Sequence, residues 1–215
     1  LTIDRIKNKY LSKISDVDKI NFNENLKIIT NQIKQIENLV NEFSDFARMP
    51  KPILQDNNLV KILNDNISLL SEIDKSINIE FNKNKNEILL NCDKEQIARA
   101  FFNIIKNSIE SIQEKYEKKP DFKKKISIEI ITHNDHIKIV LIDNGLGFDK
   151  IKGKIKDIIN PYYTTKKNGT GLGLSIVNKI INDHHGELNF YNVSEGAKTE
   201  INFKLNVDRN FNSWW

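Results

Sequence analysis

One cysteine in 215 residues cannot close a disulfide within the chain, so packing and hydrogen bonding must hold the fold. That thiol, Cys92, sits in a strand-like stretch beside apolar residues and reads as a packing residue. It fits a reducing compartment, and the cytoplasm is the expected location. Nowhere does the chain carry the roughly 20 consecutive apolar residues that a membrane-spanning helix needs. The start, Leu1-Thr2-Ile3-Asp4-Arg5, has no Met and resembles neither a signal peptide nor a native beginning, so the chain reads as a piece of a longer protein whose membrane anchor, if any, lies upstream. Charge of one sign is scarce too: 33 Lys and Arg against 29 Asp and Glu leave +4. Lysines gather at 115–125 and 150–167, but they are mixed with acids and no recognition motif accompanies them, which argues against a nucleic-acid partner. What is present, 39% hydrophobic and 29% charged residues, is the composition of a soluble globular protein with one large or two modest domains.

The first of these is helical. Leu26, Ile29, Ile33, Ile36, Val40 and Phe43 step by three and four, a heptad seam on one helix face. Ile3, Ile6, Tyr10 and Ile14 form a shorter apolar face, and Ser15-Asp16-Val17-Asp18 supplies turn and capping residues between the two. The expectation is an antiparallel hairpin that pairs with a second copy as a four-helix bundle, packing on the chain's own second domain being the alternative. Met49-Pro50-Lys51-Pro52 stops it, because two prolines forbid helical continuation. The expected domains are residues 1–50 and 53–208.

Beyond the prolines, spacing predicts a helix over 59–70, short strands over 77–81 and 88–91, and a long helix over 93–117. Alternating strands over 126–132 and 136–142 run into Asp143-Asn144-Gly145. A helix from about Leu174 and strands near 187–193 and 199–205 follow. The fold class is α+β, a two-layer sandwich with helices on one face of a mixed sheet.

Three segments carry chemistry. Within the long helix, Asn103 and Asn107 are four apart and share one face, so two amide oxygens project together. Such hard oxygens suit Mg²⁺ bridging phosphates, and a solvated polar stripe is the competing reading. Asp143-Asn144-Gly145-Leu146-Gly147-Phe148 follows an apolar strand. Its carboxylate can accept a hydrogen bond from an exocyclic amine and its glycines let the backbone approach a flat ligand, although a plain Asn-Gly turn would look the same. Third, Pro161-Tyr162-Tyr163-Thr164-Thr165-Lys166-Lys167-Asn168-Gly169-Thr170-Gly171-Leu172-Gly173-Leu174 places alternating glycines before a helix N-terminus, a phosphate cradle that a mere linker would not need. The weakly patterned, lysine-rich span 148–171 reads as a lid over those phosphates.

In this order the segments resemble the N box (101–112), first glycine box (143–148), F box (161–166) and second glycine box (169–174) of the family that includes gyrase, the heat-shock chaperone, the mismatch-repair MutL ATPases and the sensor histidine kinases. The resemblance covers roughly residues 57–207 and implies the Bergerat type of ATP-binding sandwich with ATP and Mg²⁺ as cofactors. By it, Asn107 is the Mg²⁺ ligand with Asn103 assisting, and Asp143 reads the adenine amino group. Gly145 and Gly147 shape the base pocket, Tyr162 belongs to the lid, and Lys166, Gly169, Thr170, Gly171, Leu172, Gly173 and Leu174 hold the phosphates. The ATPase branches carry a water-activating glutamate where this chain has Asn103, which cannot take a proton, so the kinase branch is implied and hydrolysis is expected to be slow.

The stretch Leu39-Val40-Asn41-Glu42-Phe43-Ser44-Asp45-Phe46-Ala47-Arg48-Met49-Pro50 resembles the second dimerisation helix and linker of nitrogen-regulation sensor kinases of the NtrY type. That resemblance implies a homodimer, a response-regulator receiver domain as partner, and a phosphoacceptor histidine earlier on the first helix than this chain begins, so no catalytic residue is assigned and self-phosphorylation is not expected. His133 and His136 flank a strand turn. His184-His185 end a helix before Gly186, where a cationic side chain would suit the dipole and glycine would close the cap. Two further readings stay open: a non-catalytic dimerisation module, and an anti-sigma-factor type of serine kinase, against which the heptad hairpin argues.

Overall fold

The computed structural model describes residues 2–148, 154–166 and 169–205. Parts of the expected lid span, and the closing Trp214-Trp215 pair, lie outside the described residues. The chain falls into two compact units that meet between Met49 and Pro50.

The first unit is the helical hairpin, α1 (Thr2–Tyr10) and α2 (Asp16–Ala47). Ser15 is the N-cap of α2, its Oγ accepting the Asp18 N–H at 3.2 Å, and the Arg48 N–H closes the far end on the Ser44 carbonyl. Of the expected seam, Ile29, Ile33, Ile36, Val40 and Phe43 stay between 44% and 61% exposed, while Leu26 is buried.

The second unit carries the sandwich. After β1 (Gln55–Asn58) come α3 (Leu59–Ser71), β2 (Asn78–Lys83), β3 (Leu89–Cys92) and the long α4 (Lys94–Lys118). β4 (Lys125–His133), β5 (His136–Asp143), a 3-10 turn (Ile155–Ile159), α5 (Gly173–Asp183), β6 (Gly186–Val193) and β7 (Gly196–Lys204) complete it. The main sheet runs β2-β4-β5-β7-β6, with β2 parallel to β4 and every other pair antiparallel. β3, expected as part of a single sheet, instead pairs with β1 in a separate two-stranded sheet. β1 had no apolar pattern to announce it: Gln-Asp-Asn-Asn is a strand because its backbone pairs with β3 and the Asn57 Nδ2 donates to the Cys92 carbonyl at 2.8 Å. The 3-10 turn, likewise unannounced, anchors through buried Ile158 and packs on α5 and β6.

Strand alternation fixes the core. Ile126, Ile128 and Ile130 of β4, Ile137, Ile139 and Leu141 of β5, and Ile201 and Phe203 of β7 are buried on one side of the sheet. Helices supply the other layer, through residues such as Leu59 and Leu63 of α3, Ile97, Ile105 and Ile109 of α4, and Ile176 and Ile180 of α5. α4 packs against both α3 and α5. Asp93 caps its start, with Oδ1 accepting the N–H groups of Glu95 and Gln96 at 3.1 and 3.0 Å. The same period of two that buries residues 137, 139 and 141 carries Asp143 to the inner face at the end of β5, beneath α4.

Candidate functional site

All three segments meet on one face of α4. Asn103, Asn107 and Ser111 recur every four residues, and each meets a different loop. Towards the N-terminal end of that stripe stands α5: a Cβ placed on Gly173 would come 3.7 Å from the Asn103 Oδ1. The first turn of α5 thus opens beside the asparagine pair, and no side chain caps its N-terminus. In the middle, Lys166 reaches over, its Nζ 2.9 Å from the Asn107 Oδ1 and ion-paired with Glu110 Oε2. At the far end the first glycine segment docks: the Leu146 N–H donates to Ser111 Oγ at 2.9 Å. Gly145 is glycine because a Cβ there would meet the Ser111 Cβ at 2.8 Å.

Asp143 is 5% exposed, and both of its oxygens are engaged. Oδ1 accepts the Gly145 N–H at 2.9 Å and Oδ2 the Ser108 hydroxyl at 2.8 Å. Burial pushes its carboxyl above the ordinary 3.8, against the opposing pull of the Gly145 N–H, the Ser108 hydroxyl, the Ala197 N–H and the Lys115 charge. Three donors on two oxygens leave room for one incoming donor. Asn144, next along, is consumed by structure: its Oδ1 accepts the Lys125 N–H, its Nδ2 donates to the Lys123 carbonyl, and its own carbonyl takes the Lys115 ammonium at 2.7 Å. Gly147 adopts φ +67, and the Phe148 N–H after it donates to the Asn192 Oδ1 at 2.8 Å.

In the third segment Gly171 has φ +73 and lies against the Tyr162 backbone, whose N–H donates to the Gly171 carbonyl at 3.0 Å. Tyr162 itself takes φ 67, a left-handed conformation rare for an aromatic residue, with its side chain exposed. Thr170 Oγ1 accepts the Leu172 N–H at 3.3 Å, Leu172 is buried, and Gly169 donates its N–H to the Lys166 carbonyl. Leu174 lies in the first turn of α5, half-buried. Of the expected site residues, Asn103, Asn107, Gly145, Lys166 and Gly173 meet on one face of α4 with Asp143 beside them on Ser108, Tyr162 meets Gly171, and Gly147 lies apart against Gly196 and Asn192.

Sequence reasoning passed over several residues that complete the arrangement. Ser111 continues the four-residue stripe of Asn103 and Asn107, and that signal was available. Ser108 and Glu110 flank the asparagine face and acquire meaning only from Asp143 and Lys166, 35 and 56 residues away. The histidine reading needs correcting. His184 is buried; its Nε2 accepts the Asp93 N–H at 2.9 Å and its Nδ1 lies 2.7 Å from the Ile180 carbonyl, which requires the neutral ring with its proton on Nδ1. It is a neutral strut between the ends of α4 and α5 and not a cation at a dipole. The left-handed turn falls on His185, φ 58, one residue before Gly186.

Residues 92–209 match the family described as histidine kinase-, DNA gyrase B-, and HSP90-like ATPase. The chain belongs to that family. A Rickettsia prowazekii protein described as an NtrY-like sensor histidine kinase is 32% identical over 207 residues, covering 95% of this chain and 33% of that protein. The nitrogen regulation protein NtrY of Azorhizobium caulinodans is 28% identical over 220 residues, covering 97% and 26%. The chain spans a third or less of the length of these relatives. Among solved structures, the catalytic domain of histidine kinase ThkA in a nucleotide-free form superposes with a TM-score of 0.60 at 24% identity, over 70% of this chain and 95% of that one. ThkA in complex with the response regulator protein TrrA gives 0.68 at 22%, over 94% and 56%. The sandwich is an ATP-binding domain of the sensor histidine kinase type, preceded by a helical hairpin.

Where α4 and α5 meet, the donor chemistry is of the kind that suits a magnesium–nucleotide pair. The Asn107 amide oxygen already accepts a cation, the Lys166 ammonium, so the donor set takes positive charge there. A glycine opens the α5 N-terminus towards it.

Proposed function

We propose that this chain is the kinase core of a two-component sensor: residues 53–208 bind ATP and transfer its γ-phosphoryl group to a histidine on a dimerisation helix, from which an aspartate of a response regulator receives it. The observation that carries this reading is the convergence of Asn107, Lys166 and the first turn of α5 on one side of α4, with the buried carboxylate of Asp143 held by Ser108, five residues beyond the Asn103 that faces Gly173. That spacing suits a nucleotide lying along α4, base towards Asp143 and phosphates towards Gly173.

In this reading Asp143, held by Ser108 and Gly145, accepts the adenine amino hydrogen. Gly145 and Gly147 keep side chains off the base. The α5 N-terminus, with Thr170, Gly171, Gly173 and Leu174, presents backbone N–H groups to the phosphates, and Gly169 and Leu172, whose N–H groups are taken within the loop, shape the cradle. Lys166 adds its charge and Tyr162 covers the site. Asn107, with Asn103 beside it, would hold Mg²⁺, whose charge would offset that of the phosphate oxygens. No base faces a water from the Asn103 position, so the residues orient the terminal phosphate for an incoming nucleophile and do not hydrolyse it.

The exposed seam Ile29, Ile33, Ile36, Val40 and Phe43 is the surface through which two copies would form the four-helix bundle. The ThkA complex with a response regulator protein is the precedent for a receiver-domain partner. Among the described residues no helix is long and apolar enough to cross a membrane; a cytoplasmic site of action is proposed, because ATP is supplied there. None of the four histidines is set to accept phosphate: His133 and His136 pair across the β4–β5 turn, His184 is buried and engaged, and His185 occupies a tight turn.

The test combines two readouts on one sample: nucleotide binding, and release of inorganic phosphate from radiolabelled ATP. Saturable binding with negligible phosphate release, and no acid-labile label on the chain, is the expected result. Rapid multiple-turnover hydrolysis would move the chain to the ATPase branch, and acid-labile self-labelling would contradict the account of its histidines.

A further inference from the structure

Lys166 is held by an atom that the proposed function reserves for something else. Its ammonium lies 2.9 Å from Asn107 Oδ1 and is ion-paired with Glu110 Oε2. Glu110 stands one turn beyond Asn107 on α4, so the two oxygens converge on a single cation from the same helix face. The other carboxylate oxygen of Glu110 faces Lys106 Nζ at 3.8 Å. No site role attached to Glu110 from the sequence.

We propose that Glu110 is a positioning residue that parks Lys166 on Asn107, so that the chain's own ammonium occupies the metal-binding amide until nucleotide arrives. The proposal rests on the reading of Asn107 as metal ligand and Lys166 as phosphate ligand. A divalent cation and an ammonium cannot share one amide oxygen at hydrogen-bond range without strong repulsion, so loading the metal with its triphosphate must draw Lys166 off. The phosphates offer the displaced ammonium a new acceptor, and Glu110 is then left facing Lys106 alone. Lys166 and Glu110 have side chains 36% and 39% exposed, which keeps the competing ion pair weak. The device therefore sets the nucleotide affinity and does not block the site.

Two duller accounts make different predictions. A merely structural ion pair would leave nucleotide affinity untouched when broken. A simple field effect, one negative charge fewer near the triphosphate, would tighten binding whether or not Lys166 is present.

A double-mutant cycle separates them: MgATP titrations of the whole chain as wild type, Glu110→Gln, Lys166→Met and the double variant, each checked for an unchanged thermal midpoint. Glu110→Gln should tighten MgATP roughly two- to fivefold, the range open to a half-exposed ion pair. In the Lys166→Met background the same substitution should leave the dissociation constant where it was, and salt should shrink the wild-type difference. Weaker binding in Glu110→Gln, no change, or equal tightening without Lys166 would each overturn the proposal. Failure of the wild-type chain to bind MgATP at all would instead remove the underlying functional reading.

Discussion

The Ser108 hydroxyl donates to Oδ2 of Asp143 at 2.8 Å, joining the middle of α4 to the last residue of β5. Strand alternation forces this carboxylate inward, and burial raises its pKa above 3.8. A carboxyl raised on folding contributes stability that is complete below 3.8 and is lost as pH rises through the raised value, so ionising Asp143 costs the fold free energy.

Asp143→Asn keeps the shape and removes the charge. The nucleotide-free variant should melt higher than the parent at pH 7, each kcal/mol gained raising the midpoint by roughly 2–4 °C. The advantage should shrink as pH falls through the acid range. ATP affinity should drop roughly tenfold or more, because an acceptor for the adenine amine is weakened. Melting scans across pH and one nucleotide titration check both halves; a variant that is less stable yet binds ATP as before would contradict them.

His184 ties the two helices of the site together. His184→Leu would leave the half-buried Asp93 N–H without its partner, while the Ile180 carbonyl would keep only the backbone N–H of residue 184, at a cost of about 1–3 kcal/mol. Urea denaturation followed by circular dichroism measures it. A loss under about 0.5 kcal/mol, the level of an ordinary surface change, would refute the strut.

Glu200 on β7 bridges Lys198 at 2.9 Å and Lys138 of β5 at 3.0 Å. The Lys198 hydrogen bond first, and then Lys138, hold its carboxyl down from 4.5 to about 2. The sign is opposite to that of Asp143: this stabilisation is complete above 4.5 and is lost as pH falls from there through about 2. Glu200→Gln should lower the neutral melting temperature and flatten its decline between those pH values. Parallel curves for parent and variant would be the contrary outcome.

Cys92 is fully buried, and burial, helped by the Asp93 charge, pushes its thiol up to about 11. An alkylating reagent at pH 8 should label the chain only when denaturant is added. Labelling of the native protein at the rate of a free thiol would show that β3 opens.

How legible was this in the sequence? Wherever local pattern decides, it read through. The period of two in β4 and β5, the start of α4 within one residue of Asp93 and the start of α5 within one residue of Leu174 all follow from near neighbours. That the glycine segments belong with the Asn103–Asn107 helix was legible through the order of the four boxes and not from any one of them. What did not read through depends on distant partners. β1 is polar throughout and exists only through β3; His184 is 91 residues from Asp93; Glu110 looks like any solvated acid until Lys166 is beside it.

The most direct test of the central claim is a calorimetric titration of ATP with Mg²⁺ into the chain and into its Asn107→Ala variant. The account predicts saturable one-to-one binding that weakens in the variant by at least the roughly tenfold typical of lost metal-site partners. No binding at millimolar ATP, or equal binding by the two proteins, would contradict it.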